Sequence, residues 1–70
     1  MNTYLLMAKL YSRKITQKEL AKRLEIDRST LYRKLSGASV MTVSDVRAIT
    51  RELNLSQNEI MDIFFSEQGA

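Results

Sequence analysis

Apolar residues recur at helical intervals in five places along this chain: Leu6 and Leu10; Leu20, Ala21 and Leu24; Leu31 and Leu35; Val46, Ile49 and Leu53; Ile60, Ile63 and Phe64. Steps of three and four keep such residues on one side of a helix, so each group predicts an amphipathic α-helix, and no stretch reads as a strand. Capping sets the boundaries. Thr16-Gln17-Lys18-Glu19, Thr42-Val43-Ser44-Asp45 and Ser56-Gln57-Asn58-Glu59 each place a hydroxyl three residues before an acid. At that spacing the hydroxyl accepts from the N3 amide and the N3 carboxylate accepts from the cap's own amide. Asp27 is expected to cap the third helix, Gly37 to end it in the left-handed conformation, and Asn54 to end the fourth. The predicted helices span 3–12, 17–24, 28–36, 43–53 and 57–65, in a single domain of residues 1–70 with a tail at 66–70.

At 70 residues, 44% hydrophobic and 27% charged, the composition is that of one small soluble domain. The chain has no Cys and no His. Disulfides, structural zinc, a thiolate nucleophile and an imidazole base are thereby excluded, and an enzyme, a cofactor, a metal ion and a small-molecule ligand are not expected. The longest apolar run, Tyr4 to Ala8, has five residues, against roughly 20 for a membrane span and about 7 to 15 for the core of a secretion signal. A cytoplasmic location without a membrane partner is therefore expected. Charge is divided unevenly: residues 9–34 hold nine cations and three carboxylates, a net +6, whereas residues 35–70 carry a net −3. One end should attract polyanions.

The second and third predicted helices, joined by the short turn Glu25-Ile26-Asp27, form a helix-turn-helix pattern. Ala21 is small where the two helices must cross, and Ile26 is placed to plug the elbow. The stretch from Thr16 to Gly37, with Thr16-Gln17, Leu20-Ala21, Leu24, Ser29-Thr30-Leu31 and Arg33 at the characteristic positions, resembles the phage repressor and Cro family of helix-turn-helix domains. The resemblance extends over roughly residues 3–65. It implies an all-α, five-helix, lambda-repressor-like domain and a sequence-specific regulator of transcription, a small phage-like or bacterial repressor. Two positions depart from the family's habit. Lys14 stands where a glycine is usual, so either it adopts positive φ at about 1 kcal/mol relative to glycine or the link between the first two helices is rebuilt. Leu10 and Leu35 stand where many members bury an Arg–Glu pair, an exchange that is often neutral or stabilising.

With Leu31 and Leu35 inward, a helical wheel turns Ser29, Arg33 and Ser36 outward, flanked by Thr30 and Tyr32, with Arg28 in the first turn. The resemblance implies that this helix lies in the major groove of double-stranded DNA, with Arg28, Ser29, Thr30 and Arg33 as base-reading candidates; either arginine can bind guanine bidentately. Gln17 corresponds to a phosphate-binding glutamine of the family, and Lys18, Tyr32, Lys34 and Ser39 are further phosphate candidates. Lys9, Arg13, Lys14, Lys22 and Arg23 are expected to contribute long-range field. Glu19, Asp45 and Glu59 read as caps, not acid–base pairs. In the last helix Met61 and Phe65 fall outside the arc of Ile60, Ile63 and Phe64. They are candidates for a homodimer interface that would hold two reading helices about 34 Å apart over a pseudo-palindromic operator. The alternative is a protein-binding helical module, antitoxin-like or adaptor, whose basic face grips an acidic partner.

Overall fold

Each helix begins where a short polar side chain supplies a partner that the backbone lacks, with one exception. The computed structural model describes residues 1–65 and contains α1 (Thr3–Ser12), α2 (Gln17–Arg23), α3 (Arg28–Ser36), α4 (Val43–Leu53) and α5 (Gln57–Phe64), with no strand among the described residues. The expected tail at 66–70 lies outside the described residues. Asn2 caps α1 by accepting from the Leu5 amide, an N-cap the apolar spacing gave no sign of. Thr42–Asp45 and Ser56–Glu59 form reciprocal capping boxes at α4 and α5. The box expected at α2 is one-sided: Thr16 accepts from the Glu19 amide, but the Glu19 carboxylate turns to Arg23 at 3.2 Å, one helical turn on. Asp27 occupies the N-cap position of α3 with extended backbone, yet its side chain makes no capping bond.

Three helices end by one device. After α1, the Ile15 amide donates to the Leu10 carbonyl and the Lys14 amide to Tyr11. After α2, Ile26 donates to Ala21 and Glu25 to Lys22, and after α4, Leu55 donates to Thr50 and Asn54 to Arg51. This is the Schellman pattern, which requires positive φ at the first residue past the cap and favours an apolar residue after it. Lys14 (φ 58°), Glu25 (φ 58°) and Asn54 (φ 52°) take the left-handed position, and Ile15, Ile26 and Leu55 then fold onto the core. Leu24 and Phe65, expected inside α2 and α5, therefore lie just past the helix ends, Leu24 because the chain is already turning into this motif. Gly37 closes α3 at φ 90°. A lysine at φ 58° is strained in a way glycine is not, so Lys14→Gly should raise the urea midpoint by the equivalent of about 0.5 to 1 kcal/mol, the relief exceeding the added freedom of the unfolded chain. An unchanged or lower midpoint would show that the turn carries no such strain.

Every helix contributes to one core. Leu6, Leu10, Leu20, Ala21, Leu31, Leu35, Ile49, Leu53, Leu55 and Ile63 are buried, while Leu24, Ile60 and Phe64 are only half-buried against it, and Val46, expected inward, is half-buried. Leu10 and Leu35 share this cluster, an apolar filling where the family often sets an ion pair. The chain ends of the helices are cross-tied: the Asn2 amide donates to the Ile63 carbonyl at 2.6 Å, and the Thr3 hydroxyl donates to the Leu35 carbonyl at 2.9 Å. The radius of gyration, 11.1 Å, matches the roughly 11 Å of a compact globule of this length. No described helix is long and apolar enough to cross a membrane.

Candidate nucleic-acid interface

The outward face of α3 follows from its inward one. Leu31 and Leu35 are buried, so the backbone turns Arg28, Ser29, Tyr32, Arg33 and Ser36 to solvent, with Thr30 half-buried at the margin. Neither Arg28 nor Arg33 forms an ion pair among the described residues. α2 packs against α3 and against α4. Ile26, in the turn between α2 and α3, is half-buried and packs against the core, directly after the left-handed Glu25.

Gln17 sits where two surface depressions meet. One, of about 290 Å³, is lined by Met7, Leu10, Tyr11, Ile15, Thr16, Gln17 and Arg28. The other, of about 210 Å³, is lined by Thr3, Met7, Gln17, Tyr32, Leu35 and Ser36. Met7 is common to both, and the Gln17 amide Nε2 donates to its Sδ at 3.5 Å, a weak acceptor that leaves the amide ready to exchange partners. The fold thus gathers Gln17, Arg28 and Tyr32 along one edge, and no carboxylate lines either depression. Tyr11 stands on that edge as well. Sequence reasoning passed over it, although its place two turns after Tyr4 on the polar side of α1 was a visible signal.

The other end of α3 differs. Lys34, expected at a phosphate, is engaged within the protein: its ammonium donates to Asp45 Oδ2 at 2.8 Å and to the Val40 carbonyl at 3.4 Å. Asp45 is both the N3 residue of the α4 capping box and the lysine's partner, so Lys34 pins the 37–42 loop rather than projecting freely. Ser39 is half-buried in that loop, its amide donating to the Arg33 carbonyl. Lys18 is exposed on α2. Lys9 and Arg13, expected to act only at long range, reach Glu59 on α5 at 2.6 and 3.6 Å. Met61 and Phe65 are exposed; Phe65 lines an apolar depression with Met1, Met41, Val43, Val46, Arg47 and Phe64.

These pairings make stability depend on pH. The hydrogen bond from Lys9, aided by the Ser56 amide and opposed by partial desolvation, holds the Glu59 carboxyl down to about 2. Desolvation pushes the Asp45 carboxyl up, but the hydrogen bonds from Lys34 and Thr42 outweigh it and leave it below the ordinary carboxylate range. Folded-state values below the unfolded ones stabilise the fold fully above about pH 5, and the contribution disappears as acid protonates the groups. The urea midpoint should therefore fall between about pH 5 and pH 2, and Glu59→Gln should fall less steeply over that interval. Parallel profiles for the two proteins would remove Glu59 from this account.

The α2–turn–α3 unit, with its outward cationic face, agrees with the comparisons. A family model described as a helix-turn-helix domain matches residues 9–61. No curated protein and no solved structure matches the chain. The family match takes in α2, the elbow, α3 and α4 whole, and the chain belongs to the helix-turn-helix domain family, in keeping with its likeness to the phage repressor and Cro type.

Proposed function

We propose that this protein is a sequence-specific, double-stranded DNA-binding regulator of transcription, a cytoplasmic repressor that occupies an operator with α3 in the major groove. The observation that carries this reading is the pair Arg28 and Arg33, exposed on the outward face of α3 and without carboxylate partners among the described residues. Guanidinium groups so presented suit bidentate bonds to guanine O6 and N7. Arg28, Ser29, Thr30 and Arg33 read bases; Gln17, Lys18, Tyr32 and Ser39 hold phosphates; Lys34 acts by fixing the loop that follows α3. Met61 and Phe65, with the apolar depression at Phe65, join two copies over a pseudo-palindromic site.

Selection of bound fragments from a random duplex pool tests the reading. Enrichment of a two-fold-related motif supports it, and recovery of fragments without any shared sequence overturns the claim of specificity. Sedimentation of a monomer at high concentration, with and without the selected duplex, would remove the dimer.

A further inference from the structure

Tyr11 is 86% exposed and Tyr4 89%. The two lie two turns apart on one side of α1, and the Tyr11 hydroxyl has no hydrogen-bond partner among the described residues. The depression that Tyr11 shares with Gln17 and Arg28 adjoins a second, of about 450 Å³, in which Tyr11 meets Lys14 and Thr16. We propose that this cleft, where the end of α1 meets the starts of α2 and α3, grips one phosphate of a DNA strand with the Tyr11 hydroxyl and the Lys14 ammonium as its donors. The clamp rests on the DNA-binding reading and extends it to residues that reading leaves out.

Charge and donor inventory favour this occupant. No carboxylate lines either depression, and neither Lys14 nor Arg28 has an ion pair among the described residues. Thr16 Oγ1 accepts from the Glu19 amide, which leaves the hydroxyl's own proton to give. Ser12 differs, since its hydroxyl already donates to the Lys9 carbonyl. An exposed tyrosine offers a flat apolar ring that displaces water and a hydroxyl that donates to phosphate oxygen, a combination suited to the edge of a nucleic-acid interface. Continuity gives the direction: Gln17 and Arg28 belong both to this cleft and to the proposed DNA face, so a strand engaged by them passes Tyr11.

The test measures binding of Tyr11→Phe, Tyr11→Ala and Lys14→Gln to a selected duplex and to an unrelated one across a salt series. Loss of a hydrogen bond to a charged phosphate should make Tyr11→Phe bind both duplexes more weakly, by about tenfold or more. The ratio between duplexes should stay unchanged, because phosphates carry no sequence information. Tyr11→Ala should lose at least as much, and Lys14→Gln should flatten the slope of log affinity against log salt by about 0.9. Thermal midpoints of the Tyr11 variants should match the wild type. If the wild type prefers its selected duplex while all three variants bind and respond to salt as it does, the clamp is wrong and the DNA-binding reading stands. If Tyr11→Phe alters the ratio between duplexes, its contact is to a base and the phosphate assignment is overturned. If the wild type binds no duplex, the DNA-binding reading falls and takes the clamp with it.

Discussion

Leu31→Ala is expected to lower the unfolding free energy by about 2 to 5 kcal/mol and to leave much of the protein unfolded at room temperature. Leu31 has no exposed surface and sits on the inward stripe of α3, in the same cluster as Leu20 and Ala21 of α2. Truncation removes three carbon atoms from that contact and leaves a cavity that the surrounding core can fill only by moving. The margin is small. A chain of this size buries only about 60% of its unfolded surface, and a single core at this length supplies roughly 3 to 5 kcal/mol without disulfide or metal. Val40→Ala makes the contrast, because Val40 is exposed and its loss should fall within about 0.5 kcal/mol. Urea titration followed by circular dichroism measures both. A Leu31→Ala midpoint equal to that of Val40→Ala would mean that the α2–α3 seam is not where the stability lies.

Arg33→Ala should fold as the wild type does and lose discrimination at one base pair of the selected site, worth about 1 to 3 kcal/mol. Arg33 is exposed and engaged by no acid among the described residues, so removing it leaves no buried charge unpaired. Its effect should therefore appear in preference rather than in stability. Gln17→Ala should behave oppositely, weakening all duplexes alike and leaving the ratios between them intact. Competition binding with single-base variants of the selected duplex separates the two outcomes. If both substitutions weaken every duplex to the same extent, the division between base-reading and phosphate-holding residues is wrong.

The seams between helices were less legible than the helices. The period of Leu31 and Leu35 located the outward face of α3, since a helix's two faces are fixed relative to each other by 100° steps. For Lys14 the family resemblance left two outcomes, positive φ or a rebuilt link, and the structure takes the first. Nothing local foretold that Asp27 would leave its capping bond unmade or that Glu19 would prefer Arg23 to the Thr16 amide. Both are choices among nearly equal partners, each worth about 1 kcal/mol or less, and the surroundings tip them.

By itself, the order of residues determined where the five helices run, which side of each is apolar and that Gly37 and Asn54 end their helices left-handed, but not the left-handed turn at Glu25; the former depend on neighbours within about five positions. Only the packed molecule decided that Lys34 would serve Asp45, that Lys9 and Arg13 would reach Glu59, and that Tyr11 would stand beside Gln17 and Arg28. Those groups are brought together by the crossing of whole helices. A few degrees of crossing angle move a side chain's tip by ångströms, a quantity that no local spacing encodes.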